Sequence, residues 1–339
     1  MKPDLDTTTF RTPPVIPRGQ RGSTLIEVLT AVTIFSIVLT AAFATFTFQK
    51  QSYTTQTRVS EMQQNLRVAL DTLFRDIRMG GYGVDSDITV PGSVVGAGST
   101  VAIRGFYGAD GGTSSSDGIC ILYAYDMDNT VTALQPTLTT ALFTAVNSPT
   151  TAVSVTSGTG TRFSAGDLVL LNNGTTADLY QVASSSSNSV TFGSAPAINA
   201  NGHSSNIYDA GSKVSRARFV RYWIDGTDPA HPRLMVTRLP GSASQPVADD
   251  IEDLQFGYGL AFSPDNTLVS TTVNAPANDS ERQRIRRISL SIIARTGVYE
   301  KGWQGQRPIL GNRSAGAADQ YRRRVIDGMA IDIRNIRLN

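Results

Sequence analysis

The chain has 339 residues and 40% hydrophobic content, enough to build one large β-rich domain or two smaller ones. Cys120 is its only cysteine, which excludes an intramolecular disulfide, a thiolate metal cage and a Cys-X-X-Cys redox pair, and no cysteine follows the apolar segment where a lipoprotein needs one. Thirty Lys+Arg against 28 Asp+Glu give +2, yet residues 23–339 hold 26 of each sign, so bulk charge argues for neither nucleic acid nor an anionic surface as an obligatory partner.

The first element is residues 25–48, an apolar run with a single charge, Glu27, followed by Gln49 and Lys50. As a helix, about 24 residues rise about 36 Å, enough to cross a hydrocarbon core of about 30 Å once. Arg18 and Arg21 precede the run and only Lys50 stands close behind it, which favours an N-in orientation with the rest of the chain exported. A secretory signal cut after Ala42-Phe43-Ala44 and an uncut signal anchor both fit this outline. Neither accounts for Glu27, because an ionised carboxylate costs about 2.5–3.5 kcal/mol at mid-membrane and less near an edge. Thr24-Leu25-Ile26-Glu27 also fits a T-x-x-E capping box, where the helix dipole favours an acidic group. The two readings of Glu27 are compatible.

Beyond the apolar run, Val59, Met62, Leu66, Ala69, Leu73 and Ile77 recur at spacings of three and four and mark one buried helical stripe. Arg67, Asp71 and Arg75 stand four apart and are placed for weak surface pairs. Gly80-Gly81 and Gly83 end the helix. From Thr24 to Met79 it would be about 84 Å long.

After Gly83 the pattern changes to short β-type runs separated by Gly, Ser, Asn and Asp. Strands are expected at 101–106, 119–125, 152–155, 168–171, 179–182, 189–192, 214–224, 234–239, 254–258, 285–293, 298–299 and 329–338. Ile288, Leu290 and Ile292 alternate with Ser289 and Ser291, the sign of a sheet with one buried face. Residues 163–192 read as a strand-turn-strand module, with Asn172-Asn173-Gly174 as a hairpin-like turn, Ser184 to Ser187 as a loose loop, and an inserted subdomain at about 160–195. The Gly/Ser/Thr-rich segments 107–118, 146–160 and 194–212 read as exposed loops.

Chemistry-bearing constellations are sparse. His203 and His231 are the only histidines, both in loop-like sequence, and His231 beside Pro232 reads as an exposed turn residue rather than a general base. No nucleophile elbow, zincin motif, phosphate loop or dinucleotide fingerprint is present. Asp126, Asp128 and Asn129 offer oxygens suited to calcium, as do Asp249, Asp250 and Asp253, but both groups lack the loop length and glycine of an EF-hand and read as solvated turn carboxylates. Arg282, Arg284, Arg286 and Arg287, with Arg322, Arg323 and Arg324, make two basic clusters. Only Tyr321 is interleaved as a stacking aromatic, so they read as strand-edge charges that discourage aggregation rather than as a DNA surface. Cys120, inside an apolar run, reads as a buried strand residue. No catalytic residue, metal site, cofactor or nucleic-acid partner is expected.

Arg21-Gly22-Ser23-Thr24-Leu25-Ile26-Glu27-Val28-Leu29, followed by the apolar run, resembles the N-terminal signature of type IV prepilins and type II secretion pseudopilins. Gln63-Gln64-Asn65-Leu66-Arg67-Val68-Ala69-Leu70-Asp71-Thr72-Leu73-Phe74-Arg75-Asp76-Ile77-Arg78-Met79-Gly80-Gly81-Tyr82-Gly83 resembles the helix end of PilW-like minor pilins. So, more weakly, do the stretches from Phe163 to Leu170, from Asp250 to Phe256, and from Tyr321 to Val325 with Arg334-Asn335.

The resemblance implies a chain cut between Gly22 and Ser23 by a membrane aspartyl prepilin peptidase, N-methylated at Ser23, and assembled through Glu27. Where the family has Phe or another bulky apolar residue first in the mature chain, this one has Ser23. The leader is also longer than many, which leaves a later start codon open. The implied fold is α+β: a long N-terminal helix, its first half in the membrane, packed on a β-rich antiparallel pilin-like head. The boundaries are a leader at 1–22, a transmembrane assembly helix at 23–50, an amphipathic continuation at 51–83 and a periplasmic head at 84–339. The implied role is that of a non-enzymatic minor pilin in the priming or tip complex. Its implied partners are the peptidase, other major and minor pilins, inner-membrane lipid and the assembly platform. It would be a single-pass inner-membrane protein that later passes to the pilus and cell surface. A J-type pseudopilin of type II secretion and a signal-anchored surface binding protein are the alternatives.

Overall fold

The computed structural model describes residues 24–125, 150–155, 158, 160–193, 198, 212–238, 240–263 and 269–336. The chain forms two compact units, Met1–Thr54 and Thr55–Asn339, and the helix α1 (Leu25–Met79) contributes residues to both.

Within the second unit, α1 follows its own sequence pattern. Met62, Leu66, Ala69, Leu73 and Ile77 are buried on one stripe and Val59 packs at its margin. Arg75 turns to its neighbour Asp76, Nε to Oδ1 at 3.4 Å, rather than along the helix to Asp71. The helix stops at Met79 because Gly81 adopts φ 79° and sends its N–H to Leu122 O at 2.9 Å. Gly105, at φ 82°, backs onto this turn so closely that a Cβ there would lie 2.5 Å from Gly81 Cα.

After the helix come β1 (Ile88–Val90), the short α2 (Gly92–Val95), β2 (Val101–Ile103), β3 (Phe106–Ala109), β4 (Gly118–Ala124) and β5 (Thr150–Ser154). A 3-10 turn (Gly160–Arg162) leads to β6 (Leu168–Asn172), β7 (Ala177–Ser186), β8 (Ser189–Gly193), β9 (Lys213–Asp225), β10 (Arg233–Arg238) and β11 (Gln245–Asp249). The chain ends on β12 (Ile251–Ala261), β13 (Val269–Val273), α3 (Asp279–Gln283), β14 (Ile285–Arg295), β15 (Gly305–Gln306), β16 (Ala318–Asp319) and β17 (Arg323–Asp332).

All pairings among the described strands are antiparallel. β9 is the spine of the larger sheet. Its first part pairs with β6, Asn172 opposite Lys213, and its second part with β4, Leu122 opposite Phe219. Its other edge takes β10, Val236 opposite Tyr222. A second sheet runs β13-β12-β14-β17, with Ile288 of β14 between Tyr258 and Ile331. Both sheets pack on the α1 stripe: Tyr123, Val220 and Tyr222 from one and Leu254, Ile288, Leu290 and Ile292 from the other share its core. A separate core lies under β5 to β8, where Phe163, Val169, Tyr180, Val190 and Phe192 are buried and the Tyr180 and Phe192 rings stack at 5.0 Å. The architecture is α+β, as the pattern implies.

Several local expectations are corrected. The run 101–106 is two strands, not one, broken at Arg104-Gly105 where the chain turns against the helix end. Ser184, Ser185 and Ser186 belong to β7 rather than to a loose loop; Ser185 Oγ donates to Phe163 O and Ser186 Oγ lies 2.8 Å from Ser189 Oγ across the turn. Val298 lies in a bend and Tyr299 outside any strand, because Thr296 Oγ1 donates to Val298 O at 3.1 Å and closes a tight loop after β14. The last strand is Arg323–Asp332, earlier than 329–338, since its register with β14 begins at Arg295 opposite Arg323. The turn after Asn172 forms as expected, with the Asn173 side chain accepting from the backbone N–H groups of Thr175 and Thr176.

Candidate functional site

The site begins where α1 begins. Thr24 caps the helix: its Oγ1 accepts from Glu27 N–H at 3.4 Å, while its carbonyl accepts from Glu27 N–H at 3.0 Å and Val28 N–H at 3.2 Å. Glu27 stands in the first turn, exposed, and among the described residues its carboxylate has no partner. The capping arrangement thus uses the Glu27 backbone and leaves its charge uncommitted. Gly22 and Ser23 lie outside the described residues.

The helix that follows is built to enter an apolar medium. Leu29, Val32, Phe35, Val38, Leu39, Phe43 and Phe46 are all exposed, and none of its most apolar 18-residue window is buried within the chain. Its polar side chains are satisfied internally. Thr33 Oγ1 donates to Leu29 O, Ser36 Oγ to Val32 O, Thr40 Oγ1 to Ser36 O and Thr47 Oγ1 to Phe43 O, each at 2.8 Å. Back-bonding of this kind leaves no unpaired hydroxyl proton to desolvate. By length and composition this one helix among the described residues can cross a membrane, and Glu27 is the charge it would carry in.

The ionisable groups of the second unit do different work. Asp76 is buried beside the α1 stripe and accepts from Tyr222 Oη at 2.6 Å and Tyr123 Oη at 3.1 Å. Burial, then the Asp76 charge, pushes the Tyr123 hydroxyl up to about 12 and raises Tyr222 as well. Asp253 is fully buried between Arg307, at 3.1 Å, and Arg313, at 2.9 Å, and also accepts from Ser116 Oγ at 2.9 Å. Asp117 accepts from Gly111 N–H at 2.8 Å and Phe256 N–H at 2.9 Å, yet burial outweighs both bonds and pushes its carboxyl up to about 6. Arg323 forks onto Glu252, Nε to Oε2 at 2.6 Å, and also pairs with Asp319. Each of these carboxylates is held by cations or by N–H and O–H donors. They fasten strands and loops to one another and leave no open coordination sphere; among the described residues no group of three or more His, Cys, Asp or Glu is placed to hold a metal.

The sequence-level candidates separate accordingly. Asp253 is not a solvated turn carboxylate but the centre of a buried ion cluster, and Asp250 turns at φ 58° to meet His231 Nδ1 at 3.1 Å. His231 is exposed, as its turn sequence suggests, while His203 and the group Asp126, Asp128 and Asn129 lie outside the described residues. The first basic cluster is not a row of strand-edge charges, whereas Arg323 and Arg324 of the second do lie on the edge strand β17. Arg282 and Arg286 are buried, and Arg286 and Arg287 lie in β14, which is flanked by β12 and β17, with Arg284 just before it. Arg286 Nη1 donates to Gln283 O and Ile285 O, both at 2.8 Å. Cys120 is buried in β4, where desolvation pushes its thiol up to about 12. Asp76 and Asp117 carried no motif; what marks them in the sequence is only a carboxylate adjoining apolar positions, Asp76 before Ile77 and Asp117 before the run that becomes β4.

A search of curated proteins and a search of solved structures each gave no match. Residues 17–43 match the prokaryotic N-terminal methylation motif. The match covers the cap, Glu27 and most of the exposed apolar run, and it indicates a type IV pilin-like or pseudopilin-type chain anchored by its N-terminal helix.

Proposed function

We propose that the protein is a minor pilin that enters a type IV pilus assembly after cleavage between Gly22 and Ser23 and N-methylation of Ser23. The observation that carries this reading is the coincidence of the methylation motif at 17–43 with an unpartnered Glu27 carboxylate at the head of an uncovered apolar helix. Left alone in lipid, that carboxylate costs about 2.5–3.5 kcal/mol at the bilayer centre. A positive amino terminus on a neighbouring subunit offsets the cost, since two unit charges 4 Å apart attract by about 4 kcal/mol at an effective dielectric of 20. The pairing fixes the axial offset between subunits, so charge sets register. The loop-rich unit Thr55–Asn339 suits an end position, in the priming or tip complex, better than a repeated shaft subunit. Its partners on this reading are the prepilin peptidase, other pilins and the assembly platform, with the head in the periplasm before extraction.

The test is Glu27→Gln. Gln keeps the cap geometry, which uses the backbone, and removes the charge. Precursor cleavage, abundance and membrane insertion stay normal, whereas co-purification with other pilins and the number of surface pili fall sharply. Unchanged partner recovery and piliation would leave Glu27 as a helix-start residue with no assembly role.

A further inference from the structure

Residues 296–303 form a ledge between β14 and β15 that is fastened on its inner side and bare on its outer side. Thr296 N–H donates to Arg322 O and Glu300 N–H to Gln320 O, both at 2.9 Å, and Trp303 N–H donates to Glu300 O at 3.0 Å. Arg322 clamps the loop. Its Nη2 lies 3.0 Å from Glu300 Oε1, and its guanidinium carbon sits 4.0 Å from the centroid of the Trp303 ring. The bond from Arg322 holds the Glu300 carboxyl below its ordinary range. With its polar groups committed inward, the ledge presents Val298, Tyr299 and Lys301 outward, and Tyr299 is 59% exposed.

The ledge is tied to the stretch of chain that leaves the apolar helix. Thr55 is the first residue of the second unit, and its Oγ1 donates to Glu300 Oε1 at 3.4 Å. Lys50 stands two residues past the apolar run, and five Cα-to-Cα steps lead from it to Thr55. However the chain runs between them, that tether spans at most about 18 Å. The headgroup region on each side of a bilayer is about 5–8 Å deep. A tyrosine, a tryptophan and a lysine on one fixed loop are the residue types that partition to this layer, the rings at headgroup level and the ammonium against lipid phosphate.

We infer that residues 296–303 dock on the membrane interface, holding the head against anionic headgroups while α1 is anchored. This inference rests on α1 crossing the membrane at 25–48 and deepens the localisation proposed above. Docking gives the anchored subunit a second lipid contact that must be released on extraction.

Nitroxide labels on the full chain in bilayers containing anionic phospholipid test it. Val298→Cys reports on the ledge, Ser114→Cys on an exposed loop of the head, and Val38→Cys on the apolar helix; the buried Cys120 stays unlabelled. The expected result is oxygen-rich, chelate-poor collisions at 38, and at 298 a several-fold lower collision rate with a water-soluble nickel chelate than at 114. Equal chelate access at 298 and 114, with 38 still in lipid, overturns the docking ledge alone. Aqueous behaviour at 38 overturns the anchoring reading and the ledge with it. An independent measurement uses Trp223→Phe, whose remaining tryptophan is Trp303: brominated lipid quenches its fluorescence if the ledge docks and leaves it unchanged if it does not.

Discussion

The Tyr222 hydroxyl donates a 2.6 Å hydrogen bond to Oδ2 of Asp76, joining the C-terminal part of β9 to the last turn of α1 inside the core. The carboxylate is the shared acceptor for two tyrosines, so its desolvation is offset only while both bonds stand. Tyr222→Phe is expected to destabilise the fold by about 1.5–3 kcal/mol, the range for a bond to a charged group. Tyr123→Phe, with the longer bond, should cost less. Urea midpoints measure both, and equal stabilities for all three chains would show that Asp76 is neutral or otherwise satisfied.

Residues 55–339 should fold without the apolar half of α1, because the buried stripe from Met62 to Ile77 lies wholly within them. A chain beginning at Thr55 is expected to be soluble without detergent and to give circular dichroism dominated by β-structure, with a helical share from residues 55–79. Aggregation, or a mainly helical spectrum, contradicts the separation of the two units.

Two ion pairs should behave in opposite ways. Asp253, fully buried against Arg307 and Arg313, leaves two uncompensated cations when truncated, so Asp253→Ala is expected to cost about 3–5 kcal/mol. Arg287 and Asp332, both largely exposed at 2.9 Å, should give less than about 1 kcal/mol in a double-mutant cycle. Comparable values for the two would mean that the Asp253 cluster is solvated in solution.

Asp117 makes stability depend on pH with an unusual sign for a carboxylate. Its native carboxyl titrates near 6 against an ordinary value of 3.8, so over that interval the folded chain binds more protons than the unfolded one. Its stabilising contribution is therefore fully present below about pH 4 and lost as pH rises through about 6, by about 3 kcal/mol at about 1.36 kcal/mol per unit. Relative to Asp117→Asn, the wild-type chain should lose stability by that order between pH 4 and 7. A difference independent of pH would contradict the buried-carboxyl account.

What the sequence discloses follows the range of the forces involved. The α1 stripe and the Ile288, Leu290 and Ile292 alternation are local periodicities, and both are readable because each residue is buried by its own element's geometry. Asp76 is not readable: Tyr123 and Tyr222 lie 47 and 146 positions away, and no local pattern links them. Arg307 is likewise 54 positions from Asp253. β13 escapes because Val269-Ser270-Thr271-Thr272-Val273 is a polar, mostly exposed sheet edge without apolar alternation. β17 is displaced because its charged start, Arg323, is buried by Glu252 and Asp319 rather than by apolar contact. The proposed processing and assembly residues Gly22, Ser23 and Glu27 are readable for the opposite reason, since the methylation motif matched at 17–43 is a linear pattern with no need of tertiary structure.

The mature amino terminus is the most direct test of the central claim. Protein extracted from membranes, analysed by intact mass and N-terminal sequencing, should begin at Ser23 and carry one methyl group on its α-amine. Replacing Gly22 by a bulky residue should leave full-length precursor in its place. A mature chain beginning at Thr45, or one still carrying residues 1–22, with normal processing of the Gly22 variant, would contradict the account.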